Sequence, residues 1–246
     1  MQNKQWKPQI RSGESFSESE QVSSEEMKVL DCQTIEGGVP SLVLMERAAL
    51  SVVEVIKQNI PKIPTREADD ASPDQVASEI NKILCVCGAG NNGGDGFAVA
   101  RLLNAEGIAA EILFVGDEEN MSEETAHQAR IAKDKGINLF DNDLSVIEDR
   151  QTIVDALFGI GLTRDLEGIY REAVERINAA HQTGISVFAV DIPSGLCADT
   201  GQIRGAAVNA DDTITFAYQK SGLALNEGPL LSGKIHIADI GIKKVP

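Results

Sequence analysis

Residues 83–96 read Ile-Leu-Cys-Val-Cys-Gly-Ala-Gly-Asn-Asn-Gly-Gly-Asp-Gly. The run Ile83 to Cys87 is apolar at every position and has the length of a strand buried on both faces. Five glycines follow in the nine positions 88–96. Glycine permits positive φ and lets a ligand approach the backbone closely. Behind them, Phe97, Ala98, Val99, Ala100, Leu102 and Leu103 fit a helix over 95–106. Strand, glycine loop and helix N-terminus together form a site for an anion such as pyrophosphate. Gly88, Gly90 and Gly93 also fit the Gly-x-Gly-x-x-Gly pattern, weak evidence by itself for a dinucleotide site. The P-loop reading fails, because no Lys-Ser or Lys-Thr follows the glycines. Asn91, Asn92 and Asp95 are the unusual part. A loop that only cradled phosphate has no use for a carboxylate, so this one is read as binding a phosphate-bearing ligand and something else.

Outward from this loop the chain alternates. Strands are predicted over 111–115, 137–140, 151–154 and 185–190, with helices over 122–135 (Ser122 as cap) and 168–180. Two further alternating stretches lie at 213–216 and 234–238. Strand and helix at this spacing imply a parallel sheet covered on both faces. The fold class is α/β: a Rossmann-like three-layer αβα fold with a mostly parallel central sheet. Extra N-terminal helices precede it. Ser23 and Glu26 form a capping box for a helix ending near Glu36 at Gly37-Gly38. Pro40 opens a second helix, whose stripe Leu44/Met45, Ala48/Ala49, Val52/Val53 and Ile56 reads as core. Residues 1–22, polar and lacking an apolar segment, are expected as a disordered tail, and 23–246 as one domain. Residues 61–76 read as an acidic surface loop.

In an open α/β sheet, ligands bind outside the carboxyl ends of the strands. After 151–154 come Asp155 and the loop Gly159, Ile160, Gly161, Leu162, Thr163, Arg164, Asp165. After 185–190 come Asp191-Ile192-Pro193-Ser194-Gly195. Asp155 and Asp191 are therefore expected on one sheet edge with Asn91, Asn92 and Asp95. A strand-end aspartate can equally cap a turn. For Asp191 the functional reading is stronger: Pro193 excludes Ile192 from the helical region, stiffening the turn, and a fixed, partly desolvated carboxylate can act as general acid or base. Asp155, Asn92 and Ser194 offer only hard oxygens, a set that suits an alkali or alkaline-earth cation; hydrogen bonding among the three is the alternative. Lys220 and Arg164 are the local cations for phosphate, against solvated or salt-bridging roles. Asp117 could bind a ribose or cap its turn.

The chain has 246 residues and a formal net charge of −16, which excludes nonspecific nucleic-acid binding. Its four cysteines (32, 85, 87, 197) lack Cys-x-x-Cys spacing and its histidines (127, 181, 236) are scattered, so no zinc site is expected. Free thiols suit a reducing cytoplasm. No apolar run approaches membrane-spanning length.

Together, Val-Leu-Met-Glu-Arg-Ala (43–48), Gly-x-Gly-Asn-Asn-Gly-Gly-Asp-Gly (88–96), Val-Asp-Ala-Leu-Phe-Gly (154–159) and Asp-Ile-Pro-Ser-Gly-Leu (191–196) make the chain resemble the NAD(P)H-hydrate epimerase family, the YjeF N-terminal domain. Ala-Asp-Thr-Gly (198–201), Thr-Ile-Thr-Phe (213–216) and Asp-Ile-Gly (239–241) extend the resemblance over roughly 22–243. It implies an epimerase that interconverts the R and S forms of hydrated NADH or NADPH (NAD(P)HX), so that an NAD(P)HX dehydratase can restore the S form. Carried over by motif, Asn91, Asn92, Gly93, Gly94 and Asp95 contact the substrate, as do Gly159 through Asp165. Asp191 sits at the reacting ring as the catalytic residue. Asn92, Asp155 and Ser194 hold a potassium ion (K+), one per subunit. A homodimer is implied too. One departure is Ile160, where the family often has threonine. Two rivals are a non-catalytic scaffold of the same fold, which should lack the site carboxylates, and a dehydrogenase, which needs a proton donor not evident here.

Overall fold

The computed structural model describes residues 6–13, 17, 20–60 and 83–244; the loop expected at 61–76 lies outside them. An eight-stranded sheet forms the centre, in the order β1-β10-β8-β7-β6-β3-β4-β5. The parallel strands are β3 (Ile83–Cys87), β4 (Ala110–Phe114), β5 (Leu139–Asp141), β6 (Thr152–Ala156), β7 (Ser186–Val190), β8 (Asp212–Phe216) and β10 (Lys234–Asp239). Alternation along β3 divides the core. Cys85 and Cys87 face one cluster with the apolar faces of α1 (Ser24–Glu36), α2 (Ser41–Asn59), α3 (Asn91–Ala105) and α4 (Glu123–Asp134). Leu84 and Val86 face the other, with Ala173, Val174 and Ile177 of α5 (Gly168–Gln182). This is the expected three-layer arrangement. The capping box also forms, with the Ser23 N–H donating to Glu26 Oε2 at 2.7 Å, and all seven stripe residues of α2 are buried.

Two expectations need correction. Within the stretch read as a disordered tail, β1 (Gln9–Gly13) pairs antiparallel with β10, and β2 (Gln21–Val22) pairs with β9 (Gln219–Lys220). The edge of β10 supplies free backbone partners, Ile10 packs against the core, and Ser12 Oγ lies 2.7 Å from His236 Nδ1. One apolar residue among polar neighbours left no local signal of this. The second correction is the start of α3, at Asn91 rather than Asp95. None of the glycines at 88, 90, 93, 94 and 96 has positive φ. Several serve close packing instead. A Cβ on Gly88 would lie 2.1 Å from the Leu157 carbonyl oxygen, and one on Gly93 1.8 Å from that of Gly88. The missing side chains let the helix begin inside the loop and press against the strand ends.

β4 and β5 extend the sheet to one side of β3, and β6, β7, β8 and β10 to the other. The switch point therefore lies between β3 and β6, and a crevice is expected at their carboxyl ends.

Candidate functional site

A cavity of about 520 Å³ opens there, within the size range of small-molecule sites. Gly90, Asn91, Asn92 and Asp95 line it from the start of α3, and Leu157 to Leu162 from the loop after β6. Asp191 lines it from the end of β7, Phe216 from the end of β8 and Lys220 from beyond it. The first turn of α3 has no side-chain cap. Its free N–H groups and positive dipole end favour an anion.

Asp191 has φ +65°, a left-handed conformation that among non-glycine residues asparagine and aspartate tolerate best. Its N–H donates to the Ile214 carbonyl at 2.7 Å. Three donors converge on Asp191 Oδ1: Lys220 Nζ at 2.5 Å, Thr215 Oγ1 at 3.2 Å and the Phe216 N–H at 3.4 Å. Among the described residues no donor reaches Oδ2. One oxygen is fixed and the other is left for a ligand.

Asp155 is fully buried. Ser194 donates to it twice, from Oγ at 2.6 Å and from N–H at 2.8 Å, and Leu157 N–H lies at 3.3 Å. Burial pushes its carboxyl up to about 6, against the pull of those hydrogen bonds, and no cationic side chain is among the causes. Asn92, 8 % exposed, keeps its Nδ2 without a hydrogen-bond partner among the described residues. Its Oδ1 would lie 3.3 Å from a Cβ at Gly159. Asp155 and Ser194 are thus hydrogen-bonded to each other, and Asn92 stands beside Gly159 at the start of α3.

Other expected site residues fall elsewhere. Gly93 and Gly94 are buried behind the cavity wall, Gly94 against Met45 and Thr125. Thr163, Arg164 and Asp165 are exposed and do not line the cavity. Lys220 is neither solvated nor a free phosphate ligand: it is 1 % exposed and bonded to Asp191 and to the Phe216 carbonyl. Asp117 accepts from the Glu119 N–H and caps its own turn.

Sequence reasoning missed Asp31, on α1. It lines the cavity, and burial pushes its carboxyl up to about 6, with Lys220 pulling down and Asp191 adding to the rise. An aspartate free in an unfolded chain titrates near about 3.9. The folded value is the higher one, so this group's stabilisation is present below about pH 4 and lost as pH rises through about 6. Asp31→Asn cannot ionise. Its melting temperature is therefore expected to gain on wild type as pH rises from about 4 to about 7. An offset that stays constant with pH in thermal melts would contradict this.

A doubly covered, mostly parallel sheet with its cavity at the switch point, a helix N-terminus at one wall and a fixed carboxylate at another define a Rossmann-like domain. The family model described as "YjeF-related protein N-terminus" matches residues 41–222, and the chain belongs to that family. A Weissella koreensis protein named NAD(P)H-hydrate epimerase is 42% identical over 90% of this chain and 91% of its own. One of the same name from Levilactobacillus brevis is 43% identical over 83% and 86%. A crystal structure of yeast ynu0 shares the fold, with TM-score 0.71 and 22% identity over 92% of this chain and 90% of that one.

Proposed function

We propose that the protein is an NAD(P)H-hydrate epimerase, an isomerase that interconverts the R and S forms of hydrated NADH or NADPH. The carrying observation is Asp191: a carboxylate held on Oδ1 by three donors, with Oδ2 left for a ligand, in a cavity whose other wall is an uncapped helix N-terminus. The names of the relatives agree with this. The free N–H groups of α3 and the backbone of the 159–162 loop bind the substrate phosphates. The hydrated ring lies toward Asp191. Departure of the hydroxyl leaves a cation that the ring nitrogen stabilises, and water returns on the opposite face with Asp191 as acid–base group. Asp155 and Asp191 are both retained, which disfavours a scaffold role.

Asn92, Asp155 and Ser194 would hold one potassium ion per subunit, which would offset the Asp155 charge and add positive potential beside the phosphates. Hard oxygen donors and a buried carboxylate without a cationic partner fit such an ion. Cation binding to the native state alone raises stability by about 2.7 kcal/mol at a hundredfold excess over Kd. Potassium is thus expected to raise the melting temperature where choline does not, and Asp155→Asn to abolish the gain. An equal response to both salts would remove the ion from this reading.

Four free cysteines support a reducing, cytoplasmic setting. Among the described residues no helix is long and apolar enough to cross a membrane. The added helices α1 and α2 are the surfaces we assign to a homodimer, and the functional partner is the NAD(P)HX dehydratase. The test of the activity is direct. A single purified epimer of NADHX or NADPHX should become a mixture of the two on incubation with the protein, faster with potassium than without. An epimer that stays pure in both would refute the function.

A further inference from the structure

Three carboxyl groups and one ammonium share the cavity: Asp31, Asp95, Asp191 and Lys220. One positive charge cannot balance three negative ones in a partly enclosed cavity where Asp31 and Asp95 are half-buried. The geometry shows where the balance lies. Lys220 Nζ is committed to Asp191 Oδ1 and the Phe216 carbonyl, so Asp191 is the ion-paired carboxylate. Asp95 has no hydrogen bond among the described residues, although it lines the same cavity. Burial, together with the charges of Asp191 and Asp31, holds its carboxyl well above the usual carboxylate range, against the pull of Lys220. Asp95 therefore keeps its proton to higher pH than an ordinary carboxyl.

Their placement matters as much as their charge. Asp95 stands in the helix that follows β3, and Asp191 at the end of β7. Between β3 and β7 lies only β6, so the two strands are separated by about 9.5 Å, twice the interstrand spacing. Two carboxyl groups therefore line the one cavity, from elements on either side of β6. Epimerisation needs both flanks, since a hydroxyl leaves from one face of the ring and water arrives on the other. Asp191, held by three donors and a left-handed backbone, cannot swing from one face to the other.

We propose that Asp95 is the second catalytic acid–base residue of this site, donating the proton to the departing hydroxyl while Asp191 takes one from the water that returns. The inference rests on the epimerase reading. In the first step the Asp95 proton passes to the hydroxyl oxygen and the carbon–oxygen bond breaks, releasing water. The ring-nitrogen lone pair forms the C=N bond of the cation. In the second, the oxygen of a water molecule bonds to that carbon from the opposite face, the C=N electrons return to nitrogen, and Asp191 Oδ2 accepts the water's proton. One water leaves, one enters, and one proton has moved from Asp95 to Asp191. The site is then set for the opposite epimer. For a further turnover in the same direction Asp191 gives its proton up to solvent and Asp95, half-buried at the cavity wall, regains one.

The test uses the full chain, both purified epimers, and unhydrated NADH as a binding probe. Asp95→Asn keeps the shape of the side chain and removes the acid. It is expected to lower kcat at least a hundredfold from either epimer, with the Kd for NADH within about threefold of wild type. Asp95→Ala is expected to be equally slow and to regain at least tenfold on addition of formate, whose acid form fits the space vacated. If Asp95→Asn melts early, Asp95→Ala with formate carries the same criteria. The assignment is overturned if a folded variant epimerises within fivefold of wild type, if the loss lies wholly in NADH affinity, or if formate restores nothing. A wild-type chain that leaves both epimers unmixed refutes the epimerase reading instead.

Discussion

An Asp191→Asn protein is expected to mix the hydrate epimers at least a thousandfold more slowly than wild type, while binding unhydrated NADH within a few-fold of it. The loss lies toward the upper part of what a positioned acid–base group contributes, about 10²–10⁴-fold. Asparagine is the informative replacement because the backbone here is left-handed, at φ +65°, and asparagine tolerates that region nearly as well as aspartate. The turn should keep its shape. Stability should still fall, because Lys220, 1 % exposed, would be left buried without its counter-charge. Breaking such a pair from one side costs about 3–5 kcal/mol. The double variant Asp191→Asn/Lys220→Gln removes both charges and should recover much of that stability without recovering activity. A double-mutant cycle in melting temperature and kcat separates the two effects. If the single variant kept a tenth of wild-type kcat, Asp191 would be a binding residue rather than a catalytic one.

How far the site could be read from the residues depended on where each signal lay. Asp155 and Asp191 were legible because each directly follows an apolar run, and the strand-end rule of α/β sheets converts that adjacency into a position. Lys220 follows β8, the neighbour of β7, but four residues beyond the strand. At that distance a lysine reads as a surface cation, and its burial depends on the pairing of β9 with β2, a contact 198 positions away along the chain in register Gln21–Gln219. Asp31 carried still less. Its helix reads as a capped amphipathic segment, and what turns the residue toward the cavity is docking: Ser24 bonds through its N–H and Oγ to Asp199 at 2.6 and 2.7 Å. Such contacts have no local pattern. In each, one partner (Gln21, Ser24) lies outside residues 41–222, the span of the family match. β1 belongs to the same class, since an edge strand is specified largely by the backbone it pairs with.

None of the loop's glycines uses the positive φ that its sequence suggested, and the close packing they serve instead leads to the second large expected effect. Gly93→Ala should either prevent folding or abolish both NADH binding and epimerisation. The position is helical and does not have positive φ, so propensity alone would favour alanine over glycine by about 1 kcal/mol. An exposed helical glycine would be stabilised by the change. Here the added Cβ would sit 1.8 Å from the Gly88 carbonyl oxygen and 2.7 Å from its carbon. Both are backbone atoms, and no rotamer change can relieve the overlap. Gly88 is itself pinned, its N–H donating to the Ala156 carbonyl at 3.0 Å, with its own Cα facing the Leu157 carbonyl. The first turn of α3 would have to lift away from β3 and β6. That would carry Asn92 away from Asp155 and Asp95 away from Asp191, dispersing the site even if the sheet survived. The effect on stability should exceed about 3 kcal/mol, in the range of severe overpacking. Gly90→Ala is the internal control, because a Cβ there meets nothing within 4 Å. It should fold with a melting temperature close to wild type. Equal tolerance of both substitutions in thermal melts would show that close helix–strand packing is not why this loop is made of glycine.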